Sequence, residues 1–563
     1  MKYVSVMQLY PGFETEYQKR HDELWPDLSA LLTQFGIANY SIYLHPQTQQ
    51  LFASFEAEPG FDAEGLAQQP VMKKWWDYMA DIMETEANNA PVATPLKSVF
   101  EFDPLPTLSD VCAVLDIGKT NVKLSAIRLV NGTILTTVKT ENKVLTDGPY
   151  PAANSEGIWQ WFQQELKKMA RTFAIKQISI TTHGATIACM KDGELALPIM
   201  DYEFTGVDNI REIYQTERPD FSETFSPSLP AGLNLAAQLC WLEKKHSDAF
   251  LDVDQFLLYP QYWGYLLSGV MASEVTSLGC HTDLWNPQKS EFSSLVKKKN
   301  WLSRFPKFYA TGAVLGTVRK ELAESLGLPN DCQVINGIHD SNASLVPYLN
   351  KEEPPFTVVS SGTWTIIAGI GSPASCLDAD KDMLANVNAL GKPTYSIRFM
   401  GGREWDALKG EQPASKTDLN KIIQKNIFAL PGFAQGGPFQ HVEGKIVGTT
   451  EALSECEKTA LATLYLALMI DYSLSQLQQN QTIFIEGAFA RNELLLTLLH
   501  TLRPEQSLYR SDDATGTTSG TAMLSSPWRE QWISAHTAIQ SQLPDAAALQ
   551  HYRTQWLDLL PDR

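Results

Sequence analysis

The sequence predicts a small α+β unit of ferredoxin-like, split βαβ type, followed by two larger ribonuclease-H-like α/β units around a cleft. Three observations carry that expectation. Residues 1–102 read as strand, helix, strand, strand, helix, strand, the order of a split βαβ sandwich. Asp103-Pro-Leu-Pro-Thr-Leu-Ser-Asp110 has two prolines and no apolar period, as a short semi-rigid linker does. Beyond it a strand, glycine turn, strand motif occurs twice, at 114–124 and at 356–370.

In the first unit residues 3–9 alternate as a strand and Glu14–Phe35 has helical periodicity. Ala38–Leu44 and Gln50–Ala57 alternate again, Val71–Met83 is a second helix, and Ser98–Phe102 closes the unit. Tyr17, His21 and Trp25 are spaced by four, which puts them along one helix face. Tyr40 and Tyr43 lie on the next strand, and Trp75, Trp76 and Tyr78 on the second helix. Rings that stack on a pyranose, with a His and a Tyr to move protons, make a sugar site. The same rings also suit an aromatic dimer interface.

A chain of 563 residues exceeds a single core. A net charge of −19 argues against nucleic acid or an anionic membrane as partner. The seven cysteines are odd in number, far apart and without a C-x-x-C pair, so neither zinc nor a disulfide framework is expected, in keeping with a reducing cytoplasm. Met1-Lys-Tyr-Val-Ser has no apolar signal core, and no run reaches the roughly 18 apolar residues of a membrane span. The expectation is a soluble cytoplasmic protein.

In Val114-Leu-Asp-Ile-Gly-Lys-Thr-Asn-Val-Lys-Leu124 an apolar run ends on Asp116, Gly118 turns the backbone and an alternating strand resumes. Glycine lets a phosphate approach exposed N–H groups, and a carboxylate at the strand end suits hydrated Mg²⁺. An ordinary hairpin with a polar turn fits the same residues. Thr133–Lys139 follows as a strand, Ser155–Phe173 as a helix, and Ile178–Thr181 as a buried strand ending at Thr182-His-Gly-Ala185. In the second copy Phe356–Ser361 ends at Ser361-Gly-Thr-Trp364 and Thr365–Ile370 answers it. A helix over 454–479 opens with Ser454 and Glu457 in capping-box spacing, before a strand at Thr482–Glu486 and a helix at Thr517–Leu524. The expected boundaries are 111–350, 351–528 and an amphipathic tail, 529–563, packed on the surface through Trp532, Tyr552 and Trp556. Arg398-Phe-Met-Gly-Gly-Arg403 joins a Gly pair to two cations and reads as an anion contact or a solvated turn.

Tyr17-Gln-Lys-Arg-His21, Leu24-Trp-Pro-Asp-Leu28, Asn39-Tyr-Ser-Ile-Tyr-Leu44 and Lys74-Trp-Trp-Asp-Tyr-Met79 resemble the L-rhamnose mutarotases, and the similarity covers residues 1–102. The resemblance implies a dimeric α/β-barrel type of fold, a homodimer through this domain, and interconversion of the α and β anomers of L-rhamnose without metal or cofactor. It implies His21 as proton donor, with Tyr17, Tyr40, Trp75 and Trp76 around the sugar.

From about 110 to 525 the motifs resemble those of the FGGY carbohydrate kinases, which implies the actin-like sugar-kinase ATPase architecture with ATP and Mg²⁺. Asp116-Ile-Gly-Lys-Thr120 is similar to the first phosphate motif, Ser360-Ser-Gly-Thr-Trp-Thr365 to the second, and Leu197-Pro-Ile-Met-Asp-Tyr-Glu203 to the sugar-contacting segment. Gly337-Ile-His-Asp340 resembles the segment of the catalytic base and Glu486-Gly-Ala-Phe-Ala-Arg-Asn492 the adenosine motif. The implied roles are Asp340 as general base, Asp116 on Mg²⁺, and Gly118, Lys119, Thr120, Gly362 and Thr363 on the phosphates. Gly487, Ala488, Asn492 and Gly516 would lie by the adenosine, and His183, Gly184, Asp201, Glu203 and His339 by the sugar. Asp340 also reads as a helix N-cap, and His183 and His339 as satisfied core histidines. Glu486 stands where the family often has Gly, and Met200 and Tyr202 depart from its usual sugar segment. Ser361-Gly-Thr-Trp364 and His339-Asp340 are most similar to rhamnulokinases.

The expectation is a bifunctional enzyme that equilibrates L-rhamnose anomers and phosphorylates L-rhamnulose to L-rhamnulose 1-phosphate. L-Fuculose or another ketose is the alternative acceptor, and a non-catalytic sugar or ATP sensor is the rival reading.

Overall fold

The computed structural model describes residues 2–57, 61–97, 99, 110–449, 451–478, 481–511, 516–526, 532 and 536–561. It divides into two compact units, Met1–Pro104 and Leu105–Arg563. The linker expected at 103–110 lies outside the described residues apart from Asp110.

The first unit runs β1 (Lys2–Gln8), α1 (Glu14–Asp22), α2 (Pro26–Gln34), β2 (Ala38–Leu44), β3 (Gln50–Glu56), α3 (Ala63–Ala67), α4 (Pro70–Met79) and β4 (Thr94–Pro95). Its sheet has the order β2-β3-β1-β4, every pair antiparallel, so it is the ferredoxin-like arrangement as an open sheet among the described residues. The single helix expected over Glu14–Phe35 is two. Pro26 sits at the start of α2 with Trp25 extended before it, because proline has no N–H to continue α1 yet is preorganised to begin a new helix. The closing strand expected at 98–102 falls almost wholly outside the described residues; the fourth strand that is described, β4, lies ahead of it at Thr94–Pro95 and pairs with β1. Leu9, Leu28, Leu51, Ala53, Met72 and Trp75 form the core.

The second unit holds two seven-stranded sheets. The first is built from β5 (Val111–Ile117), β6 (Asn121–Arg128), β7 (Ile134–Glu141), β8 (Ile175–Thr182), β9 (Val314–Thr317), β10 (Gln333–Ile335) and β11 (Ile338–His339), with α5 (Ser155–Ala170) between β7 and β8. Its order is β9-β10-β8-β5-β6-β7, with β11 also on β8. All seven residues of β5 are buried, which is why an unbroken apolar run lies at the sheet's centre.

After α6 (Asp340–Ala343), the second sheet comprises β12 (Phe356–Ser361), β13 (Thr365–Ile370), β14 (Met383–Val387), β15 (Pro393–Phe399), β16 (Thr482–Gly487), β17 (Leu508–Ser511) and β18 (His536–Ala538), in the order β14-β15-β13-β12-β16-β17-β18. Among its helices are α7 (Gly401–Leu408), α8 (Glu455–Gln476) and α9 (Glu493–Leu502), with α10 (Gly516–Met523) and α11 (Ala546–Asp558) late in the chain. Both halves of the Ser454 and Glu457 capping box are formed at the start of α8.

Two late segments depart from expectation. Helix α10 lies in sequence between β17 and β18 of the second sheet but packs on the first sheet, where Ala522 and Met523 join Cys112, Val114 and Ile127. The tail is core, not a surface addition. Strand β18 extends the sheet, and Tyr552 and Trp556 are each 1% exposed within the main cluster. The Tyr552 hydroxyl donates to the Ile427 carbonyl and Trp556 Nε1 to that of Ala429 at 2.8 Å. Rings whose polar tips find loop carbonyls can be buried without loss. Among the described residues no helix is long and apolar enough to cross a membrane, and all seven cysteines are free.

Candidate active sites

In the first unit α1, α4 and the sheet enclose a cavity of about 680 Å³ lined by Tyr17, His21, Tyr40, Trp75 and Trp76. All five residues singled out in the sequence meet here. His21 Nδ1 lies 3.0 Å from the Tyr17 carbonyl, so it donates there and leaves Nε2 as the atom that accepts a proton. The imidazole stands 4.4 Å from the Tyr17 ring and edge-on to Trp75 at 5.3 Å. Burial lowers the His21 pKa, opposed by its hydrogen bond to Tyr17, and raises that of the Tyr17 phenol. A neutral imidazole and a protonated phenol thus sit side by side among indoles. Trp25, expected on the His21 face, precedes α2 but still meets Trp75 edge-on at 5.2 Å.

In the second unit Asp340 begins α6 directly after β11, and its Oδ1 accepts from the Ser341 N–H at 2.6 Å. The residue in the N-cap position is His339. Its Nε2 lies 3.1 Å from Asp340 Oδ1, and burial pushes its pKa down to about 4, so it faces the carboxylate as a neutral ring. A Cβ on Gly184 would fall 2.8 Å from His339 Nε2; Gly184 makes room for this ring. Next to it His183 packs between Tyr202 and Tyr259, each ring 5.2 Å away. Burial raises the Asp340 pKa, partly countered by His183. Asp116, at the end of β5, is also buried. That burial raises its pKa, the charge of Lys123 opposes the rise and the charge of Asp340 adds to it. The Asp116 and Asp340 carboxylates therefore share one electrostatic neighbourhood, and Thr518 of α10 hydrogen-bonds Asp116.

One cavity adjoins Asp340, and a second lies along the glycine turns after β12 and β16. The first, of about 300 Å³, is lined by Asp340, Ser344, Ser360, Glu486, Gly487, Gly516 and Thr517. The other, of about 670 Å³, is lined by Gly362, Thr363, Gly402, Arg403, Trp405, Ala488, Arg491 and Asn492. The glycine turn after β12 thus meets the turn after β16. Gly487 has a φ of +81° and its Cβ would fall 2.0 Å from the Ser361 carbonyl oxygen, a place only glycine fills. Asn492 caps α9 by accepting from the Leu495 N–H at 3.1 Å. Glu486, in place of a glycine, takes a hydrogen bond from the Tyr348 hydroxyl at 2.8 Å.

Arg403, read from the sequence as an anion contact or a solvated turn, lines this cavity, while Trp405 and Arg491 are not singled out by the sequence; the signal available for Trp405 was the Gly pair at 401–402. A Cβ on Gly402 would fall 2.5 Å from the Gly362 carbonyl oxygen, so the close approach of α7 to the phosphate-like turn requires it. Gly118 and Thr120 form a tight turn across the unit, in which Asn142 Nδ2 donates to the Gly118 carbonyl at 2.8 Å. Lys119, expected toward phosphate, is directed elsewhere. Its ammonium lies 2.5 Å from Asp201 Oδ1 and 3.2 Å from Glu203 Oε2, because the enclosed Asp201 carboxylate draws the nearest cation.

A ferredoxin-like domain with an aromatic cavity that holds a histidine and a tyrosine side by side, joined to two ribonuclease-H-like sheets with glycine turns and carboxylates at their strand ends, defines the class: a sugar-handling domain ahead of an actin-like sugar kinase. Comparison with known proteins gives the families. Residues 2–102 match the L-rhamnose mutarotase family, residues 111–347 the N-terminal domain of the FGGY carbohydrate kinases, and residues 353–533 the FGGY C-terminal domain. The L-rhamnose mutarotase of Flavobacterium johnsoniae is 48% identical over 97 residues, 17% of this chain and 91% of that protein. That of Listeria monocytogenes is 50% identical over 96 residues, 17% of this chain and 92% of that protein. The crystal structure of a carbohydrate kinase from Novosphingobium aromaticivorans is 32% identical, covers 80% of this chain and 98% of its own, and superposes with a TM-score of 0.73. A xylulose kinase from Lactobacillus acidophilus, 15% identical over 80% of this chain and 97% of its own with a TM-score of 0.64, shares the fold. The chain belongs to the FGGY carbohydrate kinases and carries a domain of the L-rhamnose mutarotase family in front of the kinase.

Proposed function

We propose that the two domains serve one sugar: the first equilibrates the anomers of L-rhamnose and the kinase phosphorylates L-rhamnulose at its primary hydroxyl, giving L-rhamnulose 1-phosphate. The observation that carries this choice is covalent. An L-rhamnose mutarotase domain and an FGGY kinase occupy one chain, and isomerisation of the first sugar yields the second. The proposed domains are 1–102 and the kinase halves 111–350 and 351–528, with 529–563 completing the second half.

In the first domain the neutral His21 exchanges protons with the sugar at Nε2, taking one before it can give one. Ring opening needs a proton removed from the anomeric hydroxyl and one delivered to the ring oxygen, and the protonated Tyr17 phenol stands beside the imidazole for the second task. Tyr40, Trp75 and Trp76 supply stacking faces. The exposed rings of Tyr40 and Tyr43 on edge strand β2 support a homodimer through this domain, to be checked by light scattering.

In the kinase Asp340 takes the proton of the attacking hydroxyl, and its raised pKa makes it the stronger base. His183, Gly184, Asp201, Glu203 and His339 shape the acceptor side. Gly362, Thr363, Ala488 and Asn492 hold the nucleotide in the larger cavity, with Arg403 and Arg491 at its wall, while Gly487 and Gly516 leave room beside Asp340. Gly118 and Thr120 offer the opposing turn. Among the described residues no cluster of three or more acidic, His or Cys ligands exists. The Asp116 carboxylate, within the electrostatic reach of Asp340, suits Mg²⁺, which takes one or two carboxylates and keeps several waters. When bound, the ion neutralises charge on the phosphates.

With ATP and Mg²⁺, the purified chain is expected to release ADP fastest with L-rhamnulose in a panel that includes L-fuculose, L-xylulose and L-ribulose. Faster turnover of L-fuculose would reassign the acceptor. Anomer exchange of L-rhamnose, followed by NMR, is expected to drop to the uncatalysed rate in His21→Ala.

A further inference from the structure

The hairpin β5–β6 carries two lysines that part company. Lys123 reaches Asp116 at 3.6 Å. Lys119, on the turn itself, crosses to the segment 201–203 and engages three consecutive side chains there. Its ammonium is 2.5 Å from Asp201 Oδ1, 3.2 Å from Glu203 Oε2 and 4.7 Å from the centre of the Tyr202 ring. Asp201 Oδ1 also accepts the Glu203 N–H at 2.9 Å, so one oxygen ties the lysine to the loop's own backbone. The Asp201 side chain is 8% exposed and that of Lys119 27%, so this pair is not a solvated surface bridge, and losing one partner strands an enclosed charge. Beneath the ammonium, Tyr202 stands edge-on to His183, and Gly184, next in the chain, lies against the His339 ring that meets Asp340 at 3.1 Å. A continuous line of contacts thus runs from the phosphate-type turn through the 201–203 loop to the base.

We propose that Lys119 is a positioning residue for the acceptor sugar: it fixes the 201–203 loop so that Asp201, Tyr202 and Glu203 present one surface to the ketose. The proposal rests on the kinase reading above and deepens it by moving part of acceptor selection onto the phosphate-type turn. It also sets the class of acceptor. Lys119 and Lys123 pair with three carboxylates, those of Asp201, Glu203 and Asp116, and the charge of Asp340 acts on Asp116 and Tyr202 beside them, so the surroundings favour a neutral polyhydroxy ketose and disfavour a sugar acid. The carboxylates accept hydrogen bonds from its hydroxyls, and the ammonium holds them at a set spacing.

The test uses the full chain and initial rates of ADP release, varying ketose at saturating ATP and then the reverse. Wild-type turnover of a ketose is measured first; its absence with every ketose would remove the kinase reading and this proposal with it, whereas the variants below can overturn the proposal with the kinase reading intact. Lys119→Met is expected to raise the ketose KM about tenfold or more while the ATP KM stays within about twofold, the pattern of lost acceptor binding. Lys119→Arg should recover most of the ketose KM. Lys119→Met combined with Asp201→Asn should be little worse than either alone, since the two act as a unit. A raised ATP KM with an unchanged ketose KM in Lys119→Met would instead make Lys119 a phosphate ligand and overturn the proposal. Should that variant fail to fold, Glu203→Gln removes one arm of the cradle from an exposed position, and an unaltered ketose KM there overturns the proposal equally.

Discussion

Glu404 shows how much a single buried acid can govern. It is 2% exposed in α7, accepts the Tyr465 hydroxyl at 2.8 Å and the backbone N–H groups of Gly432, Phe433 and Ala434, and burial pushes its pKa up to about 7. The folded value lies above the ordinary 4.5, so folding favours the protonated acid. That contribution is whole below 4.5 and is lost as pH rises through about 7. The Tm of the chain is expected to fall between pH 6 and pH 8, and Glu404→Gln, which cannot ionise, should lose less over that interval by differential scanning calorimetry. An equal fall in both would mean that the carboxyl is ionised throughout. At this scale the sequence is a fair guide to chemistry and a poor one to partners. Asp340 and His339 adjoin in the chain, so their meeting is legible, and the spacing of Tyr17 and His21 follows from one helix face. Lys119 and Asp201 are 82 positions apart, and nothing local announces that the lysine turns toward the acceptor segment. That Trp405 and Arg491 join Arg403 in one wall is hidden for the same reason.

Among the elements, β12 and β13 have the bounds read from sequence, Phe356–Ser361 and Thr365–Ile370, because apolar runs that stop at Ser-Gly-Thr leave no latitude. Helix α8 begins where its capping box says. Helices in which burial and periodicity disagree are less legible. The Glu14–Phe35 pattern continues across Pro26, where the backbone does not, and α11 looks amphipathic although Tyr552 and Trp556 are both swallowed by the core. Helix α10 is the element on which the kinase site depends most. A Cβ on Gly520 would fall 1.9 Å from the Ala343 carbonyl oxygen, so α10 touches α6 backbone to backbone. Gly520→Ala must push α6, and with it Asp340, away from α10. A destabilisation of about 1–3 kcal/mol is expected by urea unfolding, together with a fall in kcat greater than any change in the ATP KM. Unchanged kcat and stability would show that the two helices separate without cost.

For the whole molecule, the two compact units each hold a complete set of candidate catalytic groups. His21, Tyr17, Tyr40, Trp75 and Trp76 all come from the first, and Asp116, Asp340 and both nucleotide turns from the second. The two activities are therefore expected to fail independently. Asp340→Asn should abolish ADP release and leave anomer exchange at the wild-type rate, while His21→Ala should do the reverse. A loss of both activities in either folded variant would make the units interdependent. The division into units is legible because the proline-rich stretch interrupts every periodicity. The interleaving of the second unit is not, since α10 belongs to one sheet by sequence and to the other by packing.

That interleaving has a consequence for the order in which the protein can be made. Cys112, Val114 and Ile127 leave the ribosome some 400 residues before Ala522 and Met523, which cover them. Until then a strip of the first sheet stays bare and Asp116 lacks Thr518. The nascent kinase is a sticky, unfinished surface for nearly all of its synthesis, and a chaperone that shields aliphatic strands would have its longest engagement there.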